Sequence, residues 1–323
     1  MLDWLKPYGR TWKFARLRRK AERLAAQAGP ADLAAPLPPM AFVVGCGRSG
    51  TTILGKIFAR HPQVCYLFEP YHLWAAVDPR CDAINFHSRA DPLMLMDARH
   101  VTDTTRQRFT RLMRSARQGS DARLLIEKTP YNAMRLGFLE ALAPGSRFVH
   151  IARDGGNVTR SIAGLAVGNT YRIAGRPTMN QWWGVDHVKW RVLARDGAAA
   201  GYFPNEVGQL EDDLSRGAYE WLVSLAEVDR RRAALANRLH EITYPALTLE
   251  PDATLQGMCA FLGLDCPTDW LRHAQSVLEP PRSAAGDPIP LPPRMAEAFN
   301  RYQARFGFPH RAAPITQTAS AEG

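Results

Sequence analysis

What this 323-residue chain has little of narrows what it is. Its five cysteines, Cys46, Cys65, Cys81, Cys259 and Cys266, are odd in number, scattered and without a C-x-x-C pair. A disulfide scaffold or a zinc site is therefore not expected. No apolar run approaches the roughly 20 residues that cross a bilayer, and the first residues lack the apolar core and small-residue cleavage site of a signal peptide. A reducing cytoplasm is the expected compartment. Acidic residues are fewer than basic ones, 31 against 41, for a formal charge of +10. That excess suits an anionic ligand, nucleic acid or an anionic membrane surface and does not choose among them. Apolar residues are plentiful, at 46% against 22% charged, which reads as globular. The length allows one large domain or a domain with an appendage.

The opening stretch interleaves Trp4, Leu5, Tyr8, Trp12 and Leu17 with Lys6, Arg10, Lys13, Arg16, Arg18, Arg19, Lys20 and Arg23. This composition, over residues 1–28, predicts a basic amphipathic helix, which either lies on an anionic membrane or packs its aromatic side on the domain. Residues 29–39, rich in Pro and Ala, read as a linker. The main domain then spans 40–310, and 311–323 reads as a disordered tail. Within the domain, β-rich runs at 41–45, 64–68, 123–127, 147–151 and 240–249 alternate with helical patterns at 51–60, 104–118, 133–142, 156–167, 179–194 and 216–236. The alternation predicts an α/β three-layer sandwich, a mainly parallel central sheet flanked by helices.

The segment 41-AFVVGCGRSGTTILGKIFARHP-62 runs from an apolar strand through a glycine-rich turn into a helix. Gly45, Gly47 and Gly50 let backbone N–H groups face one point, and the next helix aims its positive end there. The loop is P-loop-like, yet Thr51 stands where a nucleoside triphosphatase has its lysine, and the cation is Arg48 instead. In 147-RFVHIARDGGNVTRSIAG-164 a second strand delivers Arg153 to the carboxyl edge of the sheet, with Ser161 on the following helix. Both could converge on one phosphate.

These motifs resemble those of sulfotransferases that use 3′-phosphoadenosine 5′-phosphosulfate (PAPS). In that family an R-S-G-T-T or K-S-G-T-T loop binds the 5′-phosphosulfate, matched here by Arg48-Ser49-Gly50-Thr51-Thr52 beside Gly47. A strand-end arginine and a helix serine bind its 3′-phosphate, matched by Arg153 and Ser161. The resemblance covers roughly 41–264 and is nearest to carbohydrate and tyrosylprotein sulfotransferases and their bacterial relatives. It implies Glu69, in 67-LFEPYH-72, as catalytic base, and Lys128, in 126-IEKTPYN-132, as a contact to the transferring group. His72 is the rival base, and Glu69 is alternatively an ion-pair partner of Arg48 or Lys128. In 239-LHEITYPALTL-249, Tyr244 matches a tyrosine near the adenine, and Arg282 in 281-PRSAAGDP-288 matches a late contact to the 3′-phosphate.

The implied activity is transfer of a sulfuryl group from PAPS, without a metal, to a hydroxyl on a carbohydrate or glycolipid, with no nucleic-acid partner. The expected location is cytoplasmic, with the N-terminal helix touching the inner membrane surface. Two other readings stay open: a kinase or nucleoside triphosphatase with an aberrant loop, and a non-catalytic nucleotide- or glycan-binding module. For the acceptor side, Trp183, His187 and Trp190 are read as sharing one helical face, either a sugar platform or core. The arginine-rich insertion at 78–123, with Arg89, Arg99, Arg106, Arg108, Arg111, Arg114 and Arg117, is expected at the acceptor mouth.

Overall fold

The computed structural model describes residues 6–88, 90–168, 179–280 and 286–315, with side chains from residue 12 onward. The chain begins with helix α1 (Lys6–Ala26) and the short α2 (Pro30–Ala34), then enters strand β1 (Met40–Val44). Helix α3 (Thr51–Phe58), strand β2 (Val64–Phe68), helix α4 (Tyr71–Val77) and helix α5 (Asp103–Arg117) follow. Strand β3 (Leu124–Lys128), helix α6 (Leu136–Leu142), strand β4 (Arg147–Ala152) and helix α7 (Gly155–Leu165) complete the first half. Next come the two-residue strands β5 (Met179–Asn180) and β6 (Gly184–Val185), helices α8 (Val188–Ala199) and α9 (Asp213–Leu235), and strand β7 (Leu239–Thr243). Helices α10 (Tyr244–Leu249), α11 (Pro251–Leu262) and α12 (Thr268–Val277), strand β8 (Ile289–Leu291), helix α13 (Pro293–Phe306) and strand β9 (Ala312–Pro314) finish the chain.

Five strands form one sheet in the order β2-β3-β1-β4-β7, and every pairing is parallel. Both faces of a parallel sheet are covered by its crossover helices, so its strands are apolar throughout rather than alternating. Strand β1 shows this: Met40, Phe42 and Val44 join a core with α1, α4, α5 and α6, while Ala41 and Val43 join one with α3, α11 and α12. Each large apolar side chain so buried contributes roughly 1.5–3 kcal/mol. The chain leaves β1 towards β2 and β3 on one side, then returns to β4 on the other. The carboxyl ends of β1 and β4 therefore flank a topological switch point, where open α/β sheets bind ligands. The expected three-layer α/β architecture is the one observed.

Several expected boundaries need correction. Residues 30–34 of the supposed linker are helical, and Asp32 is buried with Arg111 at 3.7 Å. Of the two readings left open for residues 1–28, packing on the domain fits the inward face of helix α1: Ala21 and Ala25 are buried in the same core as Phe42, and Phe14 meets Phe86 edge-on at 4.9 Å. The strand expected over 240–249 stops at Thr243, whose hydroxyl caps α10 by accepting from the Ala246 N–H at 3.2 Å, and Pro245 suits a helix's first turn. The helix expected over 179–194 is instead a β5–β6 hairpin followed by α8. There Asn180 Oδ1 accepts from the N–H groups of both Trp182 and Trp183, each at 2.8 Å, which diverts the backbone into a turn. The tail expected from residue 311 includes β9, which pairs in parallel with β8.

Candidate active site

The loop between β1 and α3 is shaped by what surrounds it. Gly50 sits at φ +100°, and a Cβ there would lie 2.4 Å from the Tyr244 ring. A Cβ on Gly47 would lie 2.3 Å from the Trp182 ring. Neither position therefore accepts another residue without moving an aromatic neighbour. Arg48 adopts φ +71° despite its side chain, the kind of local strain that concentrates at functional sites. Helix α3 starts without a side-chain cap, so its first N–H groups remain available to an anion.

On one side of the loop, cations and a ring converge. The Arg48 Nε–H donates to Ser161 Oγ at 2.9 Å, and Arg153 Nη1 donates to the Arg48 carbonyl at 3.0 Å. The Arg153 guanidinium lies 4.3 Å from the centre of the Tyr244 ring, a cation–π contact. Burial, with Arg48 adding its repulsion, makes Arg153 less costly to deprotonate than a free arginine. The strand exit is fixed by the Trp221 Nε1–H, which donates to the Arg153 carbonyl at 3.0 Å. Asp154 caps α7 through the Asn157 N–H at 2.8 Å. Arg48, Arg153, Ser161 and Tyr244 thus share one corner, while Arg282 lies outside the described residues.

On the other side, Lys128 ends β3 fully buried, and its Nζ donates to Glu69 Oε1 and, at 3.3 Å, to Thr52 Oγ1. Burial lowers the Lys128 pKa, the neighbouring Arg48 acts in the same sense, and Glu69 opposes both. Glu69 follows β2 at φ +42°, and its second oxygen accepts from the Tyr71 hydroxyl at 3.0 Å. His72, the rival base, faces elsewhere: it lines a groove with Leu17 and Lys20 of α1. Behind Lys128, the fully buried Glu127 accepts from Trp74 Nε1 at 2.9 Å, Asn132 Nδ2 at 3.0 Å and the Thr129 hydroxyl. Burial pushes its pKa up to about 7.

A cavity of about 220 Å³ opens beside these groups, lined among others by Arg48, Thr52, Glu69, Tyr71, Trp182 and Glu220. A larger cavity, about 710 Å³, lies by Pro38, Pro39 and Arg114 at the amino edge of the sheet, away from the loop. The smaller one lies at the carboxyl edge of the sheet, where open α/β sheets bind ligands. Trp183 is buried, its Nε1 donating to Asp213 at 2.7 Å, and Trp190 packs edge-on against it at 5.9 Å, so that pair is core. Of the insertion, Ile84 lines the cavity, but none of its described arginines does. Arg106 and Arg117 donate to the Ala141 and Ala122 carbonyls, Arg111 to Gln27, and Arg99 to Asp97. Arg89 lies outside the described residues. Trp182, Lys189 and Glu220 had no signal in the sequence, because a hairpin, not a helical period, positions the first of them.

A glycine-rich loop at the switch point of a parallel sheet, with cations from the neighbouring strand ends, defines a P-loop-like α/β protein whose loop suits an anionic group. Residues 39–268 match the family model described as "Sulfotransferase family", and the chain belongs to that family of enzymes. Nodulation protein NoeE of Sinorhizobium fredii (strain NBRC 101917 / NGR234) is 27% identical over 251 residues, covering 71% of this chain and 51% of that protein. The chain therefore spans about half the length of that relative. Sulfotransferase STF9 from Mycobacterium avium superposes with a TM-score of 0.53 at 12% identity, covering 88% of this chain and 81% of that one.

Proposed function

We propose that this enzyme moves a sulfuryl group from PAPS to a hydroxyl of a carbohydrate or glycolipid. The observation that carries the reading is the division of the loop's surroundings into two sets: Arg48, Arg153, Ser161 and Tyr244 on one side, Lys128, Thr52 and Glu69 on the other. The residues fit the donor. The uncapped start of α3 and the side chains of Arg48, Thr51 and Thr52 would hold the 5′-phosphosulfate, with Gly47, Ser49 and Gly50 shaping the loop. Arg153 and Ser161 would take the 3′-phosphate, and Tyr244 would flank the adenine. Bound PAPS would supply an activated sulfuryl group on a good leaving phosphate.

The chain's own part is positioning and charge. Lys128 and Arg48 stabilise the negative charge that grows on the bridging and equatorial oxygens. Glu69 removes the proton from the acceptor hydroxyl, and the Tyr71 hydroxyl and Lys128 hold its carboxylate in place. The outward face of α1, with Trp12, Lys13, Arg16, Arg19, Lys20 and Arg23 exposed, fits an anionic membrane surface on the cytoplasmic side.

Titration of adenosine 3′,5′-bisphosphate and of ATP by calorimetry, with and without Mg²⁺, tests the reading. The bisphosphate should bind without Mg²⁺. Arg153→Ala should weaken it by roughly tenfold to a hundredfold, the loss of one charge-assisted contact, while sparing a nucleotide that lacks the 3′-phosphate. Mg²⁺-dependent ATP binding in its place would support a kinase. Tight bisphosphate binding without sulfate transfer to any acceptor would leave a binding module.

A further inference from the structure

Trp182 lines the same cavity as the expected base, Glu69, and it is braced in a way that core packing does not require. Its indole contacts the loop at Gly47. Its Nε1–H donates to Glu220 Oε2 at 2.8 Å, and its backbone N–H to Asn180 Oδ1 at 2.8 Å. Lys189 Nζ lies 4.1 Å from the centre of the ring and bonds both Glu220 oxygens, at 2.7 and 2.9 Å. Side-chain exposures of 6% for Lys189 and 2% for Glu220 make this a buried ion pair. Desolvating such a pair is costly and seldom adds net stability, so its use here calls for a local reason. The neighbouring Trp183 fills the core, whereas Trp182 stays partly exposed to the cavity that Arg48, Thr52 and Glu69 share.

We propose that Trp182, clamped by Glu220 and Lys189, is a water-excluding wall of the transfer site. The inference rests on the reading that PAPS binds at the loop. The ring covers Gly47, next to where the sulfuryl group would lie, and leaves room on the Glu69 side for an acceptor hydroxyl. The competing reaction it suppresses is hydrolysis. In that reaction the oxygen of water bonds to sulfur and the bond from sulfur to the bridging phosphate oxygen breaks. The electron pair leaves with adenosine 3′,5′-bisphosphate, and both protons of water pass to solvent, leaving inorganic sulfate. Excluding water from a reactive group is a recognised role of closed sites.

The test needs no acceptor. Sulfate release from PAPS alone is measured for the wild type, Trp182→Ala and Trp182→Phe, alongside bisphosphate affinity by calorimetry and the melting temperature. Trp182→Ala should hydrolyse PAPS roughly tenfold faster or more, with bisphosphate affinity nearly unchanged, although its melting temperature should fall because the indole's packing and its bond to Glu220 are lost. Trp182→Phe, which keeps a ring over Gly47, should stay close to the wild type. Equal hydrolysis by the wild type and Trp182→Ala, with bisphosphate binding intact, overturns the wall. A parallel fall in affinity and melting temperature makes Trp182 a structural brace and overturns it too. A wild type that binds no bisphosphate overturns the PAPS reading, and the wall with it.

Discussion

Glu69 brings two proposed roles onto a few atoms. Its two oxygens face different partners, Lys128 on one and the Tyr71 hydroxyl on the other, so a base and an ion-pair partner would occupy the same position. Glu69→Gln separates the two roles. The amide keeps the shape and can still accept from one neighbour, but it cannot take a proton. As base, the residue should lose roughly 10²–10⁴ in kcat on substitution, with bisphosphate affinity nearly intact. The acidic limb of the kcat/KM profile should also vanish in the variant. If affinity instead falls in step with rate, Glu69 serves Lys128 and another group is the base. His72 is then a poor successor, because it lines the groove against α1 rather than the cavity.

Among the elements, α1 has two faces, and the role proposed for each can be tested alone. Ala21 and Ala25 pack inward against the core of α4 and α5, while Trp12, Lys13, Arg16, Arg19, Lys20 and Arg23 remain exposed along the helix. Removing residues 1–28 should lower the melting temperature, because it uncovers apolar surface on α4 and α5. Replacing the five exposed cations by Gln should leave the melting temperature almost unchanged, since isolated surface charges contribute about 0–1 kcal/mol each. The same replacement should abolish co-sedimentation with anionic vesicles, and added salt should mimic it in the wild type. Unaltered sedimentation of the Gln variant would remove the membrane proposal and leave α1 a packing element alone.

For the whole molecule, Glu127 ties global stability to pH. Burial raises its folded-state pKa from 4.5 to about 7. Between those values the folded chain holds a proton that the unfolded chain has released. Stability from this group is therefore complete below about 4.5 and is lost as pH rises through about 7. Urea unfolding from pH 5 to 8 should show the wild type losing stability relative to Glu127→Gln as pH increases, by an amount on the order of a few kcal/mol. Parallel curves for the two proteins would mean that the Trp74, Thr129 and Asn132 donors keep Glu127 ionised throughout.

Local pattern alone determined a good deal here. The apolar runs of β1 to β4 and the helices between them were legible because a strand buried on both faces must be apolar along its whole length. The loop, with Arg48 and Thr51 after Gly45 and Gly47, was legible because turning N–H groups towards an anion demands glycines at fixed spacing. The meeting of Arg153 and Ser161 was legible from a strand end followed by a helix, whereas the places of Tyr244 beside them and of Lys128 with Glu69 were expected only through a resemblance. Tertiary structure decided what depends on distant partners. Asn180 turned an apparent helix into a hairpin and put Trp182, not Trp183 or Trp190, on the cavity wall. The carbonyls of Ala122 and Ala141 drew Arg117 and Arg106 away from the mouth. Lys189 and Glu220 are 31 residues apart and meet only because α8 and α9 pack together. Periodicity reports which face of an element is apolar, but not which polar group on another element will satisfy a buried donor, and the cavity wall is built from such pairs.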